Sequence, residues 1–405
     1  MSFLTEFDAA FVGNLFRKYY RENSEKIYIP DRLPEREFGY FPFGEKMMVR
    51  HLNFNSPQQL RELLVERAPL HIYHSAAFYR YPRAPMEQKE WLGAELIFDI
   101  DADHLKTPCK KAHDFKICKR CLLDYPVEAE RCSKCGGALE KIEWVCDECL
   151  QSAREEARKL LEFLEEDFGF QEIRMAFSGN RGYHIIVKDR EVINLDQMER
   201  KEIVDYVTGI GLDPRFLGLD GRKISLDYAP DLGDPGWRGK IARSAVEIMM
   251  TFDAESLYEL TGDEKAYSII EELESVRERW SDKPPWSLLK PSTRRFLFDA
   301  AKELAAAHVD VVVTQDTHRL IRLGGSLNGK TGLMTKVFDP NDLDDFDPTR
   351  DPVALSMDET THVRVIRSHG FKLFDFEIPP IKRKIVELPL AAAVLLLCRG
   401  VATLP

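Results

Sequence analysis

The sequence predicts an α+β fold: a mixed β-sheet with flanking helices, an embedded metal-binding unit and an inserted, mostly α-helical domain. Three observations predict it. Strand-patterned segments fill much of residues 1–108, return at 173–189 and resume after 307. Helix-patterned segments dominate 190–306. Seven of the eight cysteines crowd into residues 109–149. The expected organisation is a first part (1–189) carrying the cysteine unit, a helical insertion (190–306), and a second part (307–405) that completes the first domain.

Each element has a local reason. In MSFLTEFDAAFVGNLFRKYY, Phe3, Phe7, Phe11, Leu15 and Tyr19 recur every fourth residue, which indicates an amphipathic helix rather than a targeting peptide. Strand-like pieces follow at EFGYFPF, MMVRHLNF, LHIYHSAAFYRY and ELIFDID. After the cysteine unit, Ala153, Ala157, Leu160, Leu161, Leu164 and Phe168 keep helical spacing, and Gly169 is placed to stop that helix. IRMAFS and YHIIVKD read as a strand pair. The insertion carries LDQMERKEIVDYVTG, SAVEIMMTF, EKAYSIIEELESVRERW and PSTRRFLFDAAKELAAA, interrupted by the loop PDLGDPGWRG. Strand character returns at VDVVVT (309–314) and runs through HRLIRLGGSLNGKTGL. The apolar run LPLAAAVLLLC (388–398) is too short to span a bilayer. It reads as a buried helix or a subunit contact, with Cys398 a plain core residue.

With 405 residues, the chain has ample material for a buried core. Its 44% hydrophobic and 31% charged content is that of a soluble globular protein, expected in the cytoplasm and away from membranes. The net charge of −11 argues against a generic cationic coat for nucleic acid. A local basic groove remains compatible with it.

The cysteine unit contains CKRC (118–121), ten further residues and CSKC (132–135), followed by two glycines. This spacing reads as a zinc ribbon whose two knuckles, Cys118, Cys121, Cys132 and Cys135, close a tetrahedral thiolate site. Cys109, His113, Cys146 and Cys149 remain as a second complete ligand set. Sequence alone leaves the pairing of the knuckles open. Both sets lack an obvious open position, which makes them structural rather than catalytic.

Two segments carry the chemistry. GAELIFDIDAD (93–103) reads as a strand with Leu96, Phe98 and Ile100 on one face and Glu95, Asp99 and Asp101 on the other. The two aspartates then lie one pleat repeat (about 6.5–7 Å) apart, an arrangement suited to a hard divalent cation, with Glu95 as a supporting partner. SGNRGYHIIV (178–187) places Ser178, a glycine turn, Arg181 and His184 together as a phosphate-binding set. Further candidates are Asp310 on an apolar strand (with Asp316 as its competitor), then Arg319, Arg322 and Lys330 in a glycine-rich stretch. Upstream, REFGYFPFGEKMMVRH holds Glu37, Arg50 and His51. Carboxylates for a metal beside a cationic cup mean chemistry on a nucleotide.

These motifs, in this order, resemble the catalytic small subunit of the archaeal and eukaryotic DNA primases. The resemblance runs from REFGYFPF through SAAFYRYP, GAELIFDID and SGNRGYHIIV, and resumes at DYAPD and RLIRLGGSLNGKTGL. It implies a primase-type catalytic domain in which Asp99, Asp101 and Asp310 hold catalytic Mg²⁺ or Mn²⁺ ions. It further implies that Ser178, Arg181 and His184 contact the triphosphate of the incoming nucleotide. Arg322, Arg50, Lys330 and Asn328 complete the nucleotide-binding candidates, and Glu37 matches the acid associated with initiation. Cys109, His113, Cys146 and Cys149 look like the family's zinc ligands beside the catalytic centre. The expected activity is two-metal synthesis of short RNA primers on single-stranded DNA from nucleoside triphosphates, by a heterodimer with a primase large subunit, with DNA-primer synthesis a further possibility. The chain departs from the family pattern in Asn328, where histidine is common, in Gly324-Gly325, where a proline is frequent, and in its inserted ribbon.

Two other classes compete. A metal-dependent nuclease could use the same carboxylates, but it needs no triphosphate cradle. A zinc-ribbon adaptor accounts for 109–149 and leaves the aspartates without a task.

Overall fold

A computed structural model describes residues 4–105, 107–220, 228–277 and 284–405. Phe3, Asp227 of the DYAPD motif, and residues 278–280 at the end of the EKAYSIIEELESVRERW pattern lie outside the described residues. The fold is mixed α and β, with several small sheets, and it divides into two compact units. One comprises Met1–Ala157, Glu172–Arg200 and Val309–Pro405; the other comprises Arg158–Gln171 and Lys201–His308.

Among the described residues, the strand pairings of the first unit's two four-stranded sheets are antiparallel, so alternating side chains sort polar and apolar residues to opposite faces. One of these sheets runs in the order Leu320–Arg322, His71–Ser75, Phe38–Phe41 and Val49–Leu52. The other runs Lys336–Phe338, Ile173–Phe177, Gly182–Val187 and Leu96–Asp101. Ala76, Ile97, Ile186, Val313 and Ile321 form a small buried cluster that draws residues from both sheets. At roughly 1.5–3 kcal/mol for each buried large aliphatic side chain, this cluster fixes one sheet against the other beneath the aspartates. Three shorter strands, Phe115–Cys118, Leu123–Tyr125 and Glu140–Ile142, make the scaffold of the cysteine unit. A further sheet pairs Thr360–Ser368 with Ile381–Pro389 and Ala402–Thr403. It packs near the helix Leu390–Cys398, all nine residues of which are buried.

The N-terminal helix Glu6–Asn23 starts at a capping box: the Thr5 hydroxyl accepts from the Asp8 amide, and the Asp8 carboxylate accepts from the Thr5 amide. Its buried face is Val12, Phe16, Tyr19 and Tyr20, whereas Phe7 is 70% exposed. The expected every-fourth stripe is therefore only partly the core face. A strict four-residue step advances about 400° and drifts about 40° each time, so the true face alternates steps of three and four.

A larger correction concerns VDVVVT. Its valines and threonine favour a strand by propensity, yet Val311–Gln315 is a short helix. Asp310 is its N-cap, with Oδ1 accepting from the amides of Val312 (2.9 Å) and Val313 (3.2 Å). A capping carboxylate outweighs weak β-propensity over five residues.

In the second unit the helices Gly236–Thr251, Ala254–Thr261, Ala266–Arg277 and Pro291–Ala305 pack on one another. The indoles of Trp237 and Trp286 donate to the carbonyls of Tyr206 and Pro230 at 2.8 and 2.9 Å. The first of these helices begins at Gly236, inside the segment expected to be a loop. Among the described residues no helix is long and apolar enough to cross a membrane.

Candidate active site

The aspartate strand Leu96–Asp101 pairs with Gly182–Val187 in a register that sets His184 opposite Asp99 and Gly182 opposite Asp101. Leu96, Phe98 and Ile100 are buried on one face; Ile97, Asp99 and Asp101 share the other. His184 Nε2 lies 3.6 Å from Asp99 Oδ1, while the ring's Nδ1 is buried without a hydrogen-bond partner. Burial lowers the His184 pKa and raises that of Asp99, and the neighbouring Asp101 and Asp310 carboxylates push Asp99 further up.

Asp310 reaches the same place from a distant part of the chain. Its amide donates to the Asp99 carbonyl at 3.0 Å, which anchors the start of the short helix beside the aspartate strand. Asp316, the competing candidate, instead caps the following turn, accepting from the His318 amide at 2.9 Å. The three carboxylates are neighbours, but among the described residues they do not close into a ligand group within 4.8 Å as the cysteine sets do.

Residues 178–181 form a tight connection between two paired strands. The Ser178 amide donates to the Gly182 carbonyl at 2.9 Å, and the Gly182 amide donates to Ser178 Oγ at 3.3 Å. Gly182 is required by packing: a Cβ there would stand 2.2 Å from the Ile100 carbonyl oxygen. Arg181 leans back over the acids. Its Nε donates to Asp101 Oδ1 at 2.7 Å, Nη1 to Glu143 at 3.0 Å, and Nη2 to Asp103. Those three acids and its own desolvation act oppositely on the guanidinium, and the acids prevail, raising its pKa.

The opposite wall is cationic. Arg322 Nη1 donates to His71 Nδ1 at 2.7 Å and Nη2 to the Tyr73 hydroxyl at 3.3 Å. His71 Nδ1 also accepts from the Gly329 amide at 3.2 Å, so that nitrogen is unprotonated. Burial and the Arg322 charge push the His71 pKa down to about 2. Lys330 faces the same space, and burial, Arg181 and Arg322 lower its pKa. Asn328 is buried: its amide donates to the Ser178 carbonyl at 2.8 Å, and its Oδ1 accepts from the Lys330 amide at 2.9 Å. It thereby ties the two loops together through neutral hydrogen bonds.

Asp99, Asp101, Ser178, His184, Arg322, Asn328 and Lys330 line one polar cleft. Tyr73, Asn180 and Arg319 line it as well. Arg319, a candidate from the same glycine-rich stretch as Arg322, carries a charge that acts on both Asp99 and His184. Its signal was only a second arginine three residues before Arg322. Glu37, Arg50, Arg181 and Asp310 stand outside this lining. Glu37 is buried and accepts from Arg50 Nε (3.0 Å) and Nη2 (3.2 Å) and from the His51 amide (3.2 Å), with Lys89 Nζ at 3.5 Å. Glu95 is not a partner of the aspartates: it forms a buried, bidentate pair with Arg36 at 2.6 and 3.0 Å.

The cysteines resolve into two groups that could each hold a metal ion, Cys109/His113/Cys146/Cys149 and Cys118/Cys121/Cys132/Cys135, with ligand atoms within 4.8 Å of one another. Sulfur separations of 3.4–3.8 Å (Cys109–Cys149, Cys118–Cys135, Cys146–Cys149) are well beyond a disulfide bond. His113 places Nε2 3.3 Å from Cys149 Sγ and Nδ1 3.0 Å from Asp114, the second partner that orients a metal-binding imidazole.

Residues 98–340 match the family model of the DNA primase small subunit. The chain is 34% identical to the DNA primase small subunit PriS of Nitrosopumilus maritimus over 99% of this chain and 100% of that protein. It is 36% identical to the protein of the same name from Methanothrix thermoacetophila, over 96% of each chain. With the Archaeoglobus fulgidus protein of that name the identity is 33%, over 97% of this chain and 98% of the other. Both the family match and the end-to-end similarity span Asp99 and Asp101, the serine–arginine–histidine loop, Arg322 and Lys330: the chain belongs to the DNA primase small subunit family.

Proposed function

We propose that the cleft joins a nucleoside triphosphate to a primer terminus, with Asp99, Asp101 and Asp310 holding divalent cations for that step. As a member of its family the chain is a nucleotidyltransferase, the catalytic subunit that makes RNA primers for DNA replication. The carrying observation is the convergence of Asp310, through its amide bond to Asp99, on a strand already presenting Asp99 and Asp101 opposite His184 and Gly182.

The donor set fits hard cations. The contacts of Asp99 with His184, of Asp101 with Arg181 and of Asp310 with its own helix all use Oδ1, leaving an Oδ2 on each. Mg²⁺ or Mn²⁺ held there would neutralise the triphosphate and activate the terminal 3′-hydroxyl. The chain's own residues do the rest. Arg322, Lys330 and Arg319 bring positive charge to the cleft wall, where β- and γ-phosphates can be held for in-line attack. The unpartnered Nδ1 of His184 gives a bound phosphate or ribose a buried hydrogen-bonding site. Arg181, engaged by Asp101, Asp103 and Glu143, positions Asp101. In the transfer, the 3′ oxygen bonds to the α-phosphorus, the bridge to the β-phosphate breaks, and pyrophosphate departs.

Asn328 acts by holding the Ser178 loop rather than by charge. Glu37, Arg50 and Lys89 form a separate ionic group, which we assign to initiation, when a second nucleotide must be held. We assign zinc to both cysteine sets, whose thiolate and imidazole donors suit it, in structural roles. Residues 1–189 and 307–405 would form one primase-type domain, with 190–306 inserted. The relatives' designation as small subunits supports a large-subunit partner for this chain, and a replication enzyme of this kind works in the cytoplasm beside the chromosome.

The test is direct. The full chain, incubated with single-stranded DNA, nucleoside triphosphates and Mg²⁺ or Mn²⁺, is expected to yield short complementary primers. Degraded DNA without new strands would contradict the assignment and favour a nuclease.

A further inference from the structure

The segment 360–387 departs from the charge of the rest of the chain. It carries six Lys/Arg against three acids in a protein of net charge −11. Strands Thr360–Ser368 and Ile381–Pro389 form its stem, and the hairpin Phe371–Leu373/Phe376–Ile378 forms its tip. Arg367 and Lys382 are cross-strand partners, a like-charge pairing that costs stability. Asp124 of the cysteine unit relieves it, lying 3.5 Å from Arg367, 2.8 Å from Lys382 and 2.9 Å from Arg383. One carboxylate for three cations leaves a surplus. Lys384, paired with Val365, is exposed on the face of Arg367 and Lys382 and adds to it, and Arg364, paired with Ile385, is exposed on the opposite face of the stem. At the tip, Phe374 and Phe376 are 41% and 52% exposed.

The arm also adjoins the catalytic cleft. Asn180, which lines the cleft, lines a small neighbouring cavity together with Lys372 of the tip hairpin and Arg399. The Arg399 guanidinium lies 4.8 Å over the Trp144 ring. Cations with exposed aromatic faces, continuing from a nucleotide-polymerising cleft, match the physical requirements of a single strand: phosphates for the cations and base faces for the rings.

We propose that this arm, with Lys372 in its hairpin and Arg399 beside it, is a contact surface for the single-stranded DNA template. The proposal rests on the primase assignment above, which supplies the strand that must pass the cleft. The full chain is titrated against fluorescently labelled oligo(dT) over a range of salt concentrations, alongside R364E/K384E and F376A. Charge reversal is expected to weaken binding by about tenfold or more at low salt. It is also expected to flatten the log–log salt dependence by about 1.4, the share of two phosphate contacts at about 0.7 each. F376A is expected to weaken binding about tenfold with the slope unchanged, because stacking carries no counterion release. Nucleotide binding in the same preparations reports whether the fold is intact.

Unchanged affinity and slope in R364E/K384E overturn the proposal. So does unchanged DNA binding accompanied by loss of association with a larger subunit, which gives the arm to a protein. If the arm variants bind DNA like the parent while primers are still made, the arm assignment fails and the primase assignment stands. If no primers form but the arm variants lose DNA binding, the reverse holds.

Discussion

Asp99→Asn is expected to reduce primer synthesis on the order of 10³-fold or more while leaving the folded protein as stable as its parent, or more stable. The two halves of that expectation share one cause. Asp99 is desolvated and flanked by Asp101 and Asp310, so its carboxyl titrates above the ordinary range. A carboxyl whose folded-state pKa is raised opposes folding when ionised at neutral pH, and that penalty is relieved as pH falls below the raised value. Asparagine keeps the shape and removes the charge, which relieves the penalty at every pH. The same charge is what a divalent cation requires, so activity falls as stability is kept. Steady-state primer synthesis and thermal unfolding on the same preparations check both halves. A variant that is inactive only because it is unfolded would not support the account.

Gly182→Ala is expected to cost about 2–3 kcal/mol of stability and on the order of 10²-fold in primer synthesis. The added Cβ would stand 2.2 Å from the Ile100 carbonyl oxygen and 3.0 Å from the Asp101 Cα, both backbone atoms of a paired strand. Neither can move without shifting Asp101, because Gly182 and Asp101 are register partners. Gly44→Ala is the control. Gly44 has a positive φ of 77°, but a methyl group added there would meet nothing within 4 Å. It is expected to lose only the roughly 1 kcal/mol of a left-handed backbone, with synthesis unchanged. Denaturant unfolding and primer assays on the pair separate crowding at the site from backbone strain.

What the sequence made legible was whatever had a short-range signature. The aspartate strand, the hairpin that follows the serine loop, and the two cysteine groups each depend on short local spacings, and the structure contains them. What escaped depends on contacts distant in the chain. VDVVVT folds as a helix because Asp310 both caps it and bonds back to Asp99, a contact far away in the sequence. Glu95 shares a parity with Asp99 but is claimed by Arg36, fifty-nine residues away. Arg181 had the spacing of a phosphate ligand, but nothing in its neighbours announced that Asp101, Asp103 and Glu143 would meet it. Arg319 was a candidate by its company with Arg322 and Lys330, but no task for it could be read from the sequence. Its position in the cleft comes from the pairing of Leu320–Arg322 with His71–Ser75, which turns that strand's approach toward Asp99.

We propose three acids from separate parts of the chain as one cation site facing a nucleotide. A crystal structure of the full chain with Mn²⁺ and a non-hydrolysable nucleoside triphosphate, recorded for manganese anomalous scattering, tests it most directly. Manganese bound by Asp99, Asp101 and Asp310, with the triphosphate against Arg322 and Lys330, is the expected result. Manganese held without Asp310, or a triphosphate bound away from that wall, would contradict it.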